Sequence, residues 1–352
     1  MHRYETFNII SYINCSTNIF SHTNSSCAFW SNRDGAEILD MEMKSLGLIT
    51  CIMFFSCSSP EVKYEYIEKN DTYRNTIESG YFSLLSHGYT YYEFDNLNHD
   101  EIIVLVHGFS VPSYIWDETY YESIKRGFGV LRMDLFGRGY SDNPDVIYND
   151  DLYANQVLEL LDELKIDKKI NLVGLSNGGR VISKIAENNS DRIRRLIYVA
   201  PAGFHNSKLK PDTTEITEDE IELFIRKRYK TISKGQLDDF KDPSKFKGWD
   251  TKYESLLKYK GFARALISTR KNNYSLDKIN KRIGRSDLPQ YAIWGDHDKV
   301  LPLSEVRDKI TRIMPNLNLY IINDSGHLPH KEKFDDFNNI FFNIILSDLN
   351  NK

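Results

Sequence analysis

The five consecutive apolar residues Ile102-Ile103-Val104-Leu105-Val106 constrain the fold of this chain more than any other feature. A β-branched and leucine run with no alternating polar face must be buried on both sides, the situation of a strand in a parallel sheet covered by helices. Comparable runs recur at Gly129–Met133, 170–173, 196–199, 290–294 and 317–322, after an earlier aromatic strand at 89–94. Helical patterns separate them, at 116–125, 152–164, 178–187 and 304–313, with a terminal one at 335–346. Strands alternating with helices predict βαβ units and an α/β fold beginning near Tyr81.

The alternation lapses between residues 204 and 287, where helix-like pieces at 219–229 and 253–269 are joined by polar connections and no buried strand is evident. At 352 residues the chain is long enough for about two units, and this stretch reads as the second, a helical insertion in the α/β core. Residues 204–288 carry 20 Lys or Arg against 13 Asp or Glu. That excess is read as solvated helix surface, the alternative being a face drawn to acidic substrates or anionic lipid. Over the whole chain 45 basic residues meet 50 acidic ones, a net charge of −5 that argues against a nucleic-acid partner bound through a broad basic surface.

Chemistry concentrates at the ends of the expected strands. Gly174-Leu175-Ser176-Asn177-Gly178-Gly179 lies between a strand and a helix, the context of a nucleophile elbow, in which a tight turn exposes a serine and glycines admit close backbone. A serine hydroxyl needs a base, and the base an orienting carboxylate. Both follow in the order Ser, Asp, His. The strand at 290–294 ends in Gly295-Asp296-His297-Asp298, and of the two acids Asp298, spaced W-G-x-x-D-x-x-x-P with Pro302, is the better candidate; Asp296 is read as a turn cap. After the last strand, Asn323-Asp324-Ser325-Gly326-His327 places His327 where the base belongs. His107-Gly108-Phe109 follows Ile102–Val106, so the amides of Phe109 and Asn177 are the candidate pair for a developing oxyanion, with His107 structural. The histidines lack metal-ligand spacing and no G-x-G-x-x-G follows the first strand, so neither a metal nor a dinucleotide cofactor is indicated. The four cysteines, at 15, 27, 51 and 57, all precede the folded body, which therefore has no cysteine nucleophile, Cys-ligated zinc or disulfide framework.

Val106-His107-Gly108-Phe109, the DLFGRGYSD segment at 134–142, GLSNGG at 174–179, WGDHD at 294–298 and GHLPHKE at 326–332 together resemble the α/β-hydrolase superfamily, in its capped serine-hydrolase branch of carboxylesterases, monoacylglycerol-type lipases, proline iminopeptidases and carbon–carbon bond hydrolases. The resemblance covers residues 80–346. It implies an eight-stranded, mostly parallel sheet flanked by helices, with a core of 81–203 and 288–352 and a helical cap at 204–287. It also implies catalysis by Ser176, Asp298 and His327 on a small-molecule ester, lipophilic acyl esters included. Carbon–carbon hydrolysis, peptide hydrolysis and a non-catalytic binding protein of this fold are the alternatives.

Ahead of the core, Met43-Lys44 and an uncharged apolar run at 46–55 lead into Ser56-Cys57. Ten helical residues span about 15 Å, half a hydrocarbon core, so the run is too short to cross a bilayer. The segment at 43–57 resembles a bacterial lipoprotein signal, which implies lipidation of Cys57, a membrane contact through that anchor and a place in the bacterial cell envelope, the alternative being the cytoplasm. Residues 1–42 are then either a disordered leader or an annotated start upstream of a true one at Met41 or Met43. Residues 58–80 read as a linker.

Overall fold

The computed structural model describes residues 63–205 and 208–347. The apolar run at 46–55, Cys57 and the segment 1–42 lie outside the described residues. An eight-stranded sheet forms the centre, from β1 (Tyr81–Leu85), β2 (Gly88–Asp95), β3 (Ile102–Val106), β4 (Gly129–Met133), β5 (Ile170–Leu175), β6 (Ile193–Val199), β7 (Gln290–Gly295) and β8 (Asn318–Ile322), in the order β1-β2-β4-β3-β5-β6-β7-β8. Only β2 runs against its neighbours; from β4 through β8 every pairing is parallel.

The all-apolar strand splits its side chains as a two-residue period requires. Ile102, Val104 and Val106 enter one hydrophobic cluster, and Ile103 and Leu105 enter another, all fully buried. The first cluster is closed by α3 (Asp150–Glu163), α4 (Asn177–Asn188), α8 (Asp277–Ile283) and α9 (Leu303–Ile313), the second by α2 (Asp117–Lys125) and the C-terminal helical segment. Asn149 starts α3 by accepting the Leu152 N–H on its side chain, and Thr217 does the same for the Glu220 N–H at α5 (Glu218–Gly235), whose first turn is acidic as the helix dipole favours.

Described residues between β6 and β7 contain helices and no strand: α5, α6 (Trp249–Glu254), α7 (Phe262–Asn272) and α8. The helix expected at 253–269 is not continuous. It breaks into α6, a 3-10 turn at Ser255–Lys258 and α7: the backbone leaves the turn at an extended Tyr259, and Gly261 takes the left-handed cap position before α7 at φ +81°. The segment read as a linker also differs in its described part. Ile67 forms a bridge to Tyr259, and the Glu65 carboxylate accepts the Gly261 and Ala263 N–H groups and the Tyr229 hydroxyl, so residues 63–80, including α1 (Asp71–Arg74), are tied to the helices that follow β6.

Two buried ion pairs brace this arrangement. On α4, Arg180 meets Asp150 through Nε–Oδ1 at 3.1 Å and Nη2–Oδ2 at 2.7 Å, and also donates to the Tyr274 carbonyl, with both charged side chains 3% exposed or less. On β6, Arg195 is enclosed by Glu101, Asn171 and the Leu346 carbonyl. Removing one partner of a buried pair strands the other without water. Asp150→Ala is therefore expected to lower the unfolding free energy by about 3–5 kcal/mol. Urea denaturation checks this, and a loss below about 1 kcal/mol would contradict it.

Candidate active site

Because β3 and β5 to β8 are parallel, the residues that follow their C-terminal ends all emerge on one edge of the sheet. Ser176 follows β5 directly. Its φ of +51° and ψ of −116° are unusual for a residue with a side chain, and the strain is held by backbone bonds on both sides: Ser176 N–H to the Val199 carbonyl at 2.9 Å, and the Ala202 and Gly179 N–H groups to the Ser176 carbonyl at 2.8 and 2.9 Å. The side chain makes no helix-capping bond, and Ser176 keeps partial exposure while the residues on either side are buried. Two glycines make the turn possible. A Cβ on Gly178 would stand 2.5 Å from the Val106 carbonyl oxygen, and one on Gly108 would press on the Ser176 Cβ at 3.3 Å. The first turn of α4 is thus docked against the end of β3, with the His107-Gly108-Phe109 turn beside the serine.

Asp298 and His327 meet. The His327 ring donates from Nδ1 to Asp298 Oδ2 at 2.8 Å, both side chains being nearly inaccessible. A carboxylate acceptor at Nδ1 requires the proton there, which leaves Nε2 with a lone pair. Asp298 is fixed by three further donors, the Trp294 indole on Oδ2 and the Val300 and Leu301 amides on Oδ1. Burial alone would lower the His327 pKa. The hydrogen bond and charge of Asp298, with the charge of Asp239 added, outweigh it and hold the value above the usual 6.5. Asp296 does not reach His327; it accepts from the His297 ring and the Ser325 amide, as a turn residue.

The two candidate oxyanion donors stand at the same edge. Asn177 is the first residue of α4, where N–H groups have no intrahelical acceptor. The Phe109 N–H is donated to no group among the described residues. His107 carries structure: its Nε2 accepts the Leu135 N–H at 2.9 Å, its Nδ1 donates to the Gly108 carbonyl, and burial, with Arg138 nearby, brings its pKa down to about 3. His330 is likewise buried, against the Trp116 ring, and bonded to the Ile115 carbonyl.

Three further contributors have no role assigned from the sequence, although two of them, Arg138 and Glu332, lie within its motifs. Arg138, inside the DLFGRGYSD segment, donates to the Phe109 carbonyl at 2.7 Å and to the hydroxyls of Tyr153 and Thr269, fixing the turn at Phe109 against α7. Asp239, in the 3-10 turn Gln236–Asp239 after α5, accepts the His327 N–H on its backbone carbonyl at 2.7 Å. Burial beside Asp298 pushes its own carboxyl up to about 6, against the pull of His327. Glu332 accepts the Lys241 and Asp242 N–H groups on one oxygen and the Gly326 N–H on the other, pinning the histidine loop to the segment after Asp239. A cavity of about 570 Å³ opens next to Phe109 and Ser110, with Phe224, Arg228, Ile232 and Arg270 among its walls.

Comparison with known proteins bears on this geometry. Lipase 3 of Moraxella sp. is 25% identical over 261 residues, covering 70% of this chain and 77% of the lipase. Among solved structures, an esterase from Exiguobacterium antarcticum superposes with a TM-score of 0.63 at 18% identity, over 76% of this chain and all of the esterase. The enol-lactonase from Burkholderia xenovorans gives 0.62 at 20% identity, over 74% of this chain and 98% of that one. At those identities the structural likeness speaks for the fold. The family model for the alpha/beta hydrolase fold matches residues 101–334, two thirds of the sequence and the whole span from β3 to the histidine loop, so the chain belongs to the alpha/beta hydrolase family.

Proposed function

We propose that the protein hydrolyses carboxylic esters through an acyl-enzyme on Ser176. The observation that carries this is the buried Asp298–His327 hydrogen bond on the strand edge that also presents a strained, partly exposed serine. As Ser176 Oγ attacks the ester carbonyl, His327 Nε2 takes the hydroxyl proton, and the resulting imidazolium is stabilised by Asp298. The carbonyl oxygen gains the negative charge, with the Phe109 and Asn177 amides as its donors. Collapse breaks the carbon–oxygen bond of the leaving alcohol, which departs with the proton from His327. Water, deprotonated by the same nitrogen, then releases the acid and restores Ser176.

A fluorophosphonate probe tests the activated nucleophile, since the serine oxygen displaces fluoride only where a base assists it. Stoichiometric labelling on the tryptic peptide containing Ser176, absent in Ser176→Ala, is the expected result. A folded protein that takes no label, or takes it on another residue, contradicts the proposal.

A further inference from the structure

The cavity beside Phe109 brings two unpaired arginines together. Several cations between β6 and β7 are paired, Arg264 with Asp145, Lys271 with Glu220, Lys252 with Asp117 and Lys260 with Glu68. Arg228 on α5 and Arg270 on α7 instead converge on one cavity, and neither makes an ion pair or a side-chain hydrogen bond with any described residue. The Arg270 guanidinium lies 5.5 Å from the centre of the Phe109 ring, one side chain away from the amide that faces the reacting carbonyl. Burial, and the charge of Arg228 close by, lower the Arg270 pKa, so the two cations face each other at a cost that a bound anion would relieve. Lys234 adds a third positive charge, and Asp238, which is exposed, is the one carboxylate among the lining residues. Phe109, Phe224 and Ile232 supply apolar wall to the same cavity.

We infer that this cavity receives an anionic substituent of the substrate, so that the esters turned over best carry a carboxylate or phosphate on the acyl side, held between Arg228 and Arg270 with an apolar spacer along Phe109. Guanidinium forks suit this role because they donate two parallel hydrogen bonds to a planar oxyanion. The inference rests on the ester-hydrolase reading for its catalytic consequence, and on the cavity alone for binding.

Two substrates that differ in that charge separate the alternatives: 4-nitrophenyl butyrate and the 4-nitrophenyl monoester of glutaric acid. The preference for the charged ester, as a ratio of kcat/KM values, is expected to fall about tenfold in Arg228→Gln and in Arg270→Gln and about 100-fold in the double variant, mainly through KM. Arg270→Lys should retain part of it, and rising salt should erode it in the wild type. A ratio that moves less than twofold in the double variant overturns the inference. Calorimetric titration of glutarate into the Ser176→Ala protein reads binding without chemistry. Saturable binding abolished by the double substitution supports the anion site even if neither ester is hydrolysed, an outcome that would sink the hydrolase reading alone. Hydrolysis of the neutral ester with no glutarate binding sinks the anion site alone. Loss of binding to phosphatidylglycerol vesicles in the double variant, with glutarate binding unaffected, would make the arginines a membrane face and overturn it as well.

Discussion

Ser176→Ala is expected to lower kcat for a short p-nitrophenyl ester by a factor on the order of 10⁶, because the attacking atom is removed and the remaining groups can only position water. A residual rate above the uncatalysed one should persist, since the amides of Phe109 and Asn177 and the substrate cleft are untouched. Stability should barely change. The Ser176 side chain makes no capping hydrogen bond, and alanine keeps the backbone bonds to Val199, Gly179 and Ala202 that hold the turn. A shift in unfolding free energy within about 0.5 kcal/mol is anticipated from urea denaturation, so a loss of turnover cannot be assigned to unfolding. Undiminished hydrolysis by the purified variant would remove Ser176 from the chemistry.

Asp298→Asn should cost about 10⁴-fold in kcat with the fold intact. The reason lies in what surrounds the carboxylate. Its Oδ1 takes two backbone amides, from Val300 and Leu301, so the asparagine carbonyl must turn that way. The new NH₂ group then faces the Trp294 indole N–H and His327 Nδ1. Donor against donor at Trp294 is unfavourable, and His327 must accept at Nδ1, which moves its proton to Nε2, where the serine proton has to go. The pH profile adds a second readout. Only neutral His327 can accept a proton, and its pKa stands above 6.5 in the wild type, so kcat/KM should fall on the acid side through a pKa higher than 6.5. Without the Asp298 charge, burial lowers the value, and the acid limb in Asp298→Asn should move to lower pH. A limb that stays in place would show that Asp298 does not set the state of the base.

The parts legible in the sequence are those fixed by local pattern. Ile102–Val106, Gly129–Met133 and the glycine-flanked Ser176 are short-range signals, and the strand ends that follow them bring Asp298 and His327 to one edge whatever the rest of the chain does. The parts that were not legible depend on docking across long separations. Glu65 reaches Gly261 and Ala263, Arg138 reaches Phe109 and Thr269, and Glu332 reaches Lys241. No spacing rule connects residues so distant, so even Arg138 and Glu332, which lie inside motifs, do not announce their partners. Gly261 misled for the opposite reason: one glycine in a helical pattern is compatible with a continuous helix, and the break shows only in the extended Tyr259 and the φ of +81° at Gly261.

His327 is held from two separate places. Its ring is oriented by Asp298, which belongs to the sheet edge, while its backbone N–H is bonded to Asp239, which follows α5. Glu332 doubles that second attachment by gripping Lys241, Asp242 and Gly326 at once. A displacement of residues 239–242 must therefore sever the His327 and Glu332 bonds together, at about 1 kcal/mol for each hydrogen bond lost. Mechanically, residues 239–242 act as a clip on the histidine loop, closed by bonds that a single displacement would open together, while the ring keeps its own attachment to Asp298.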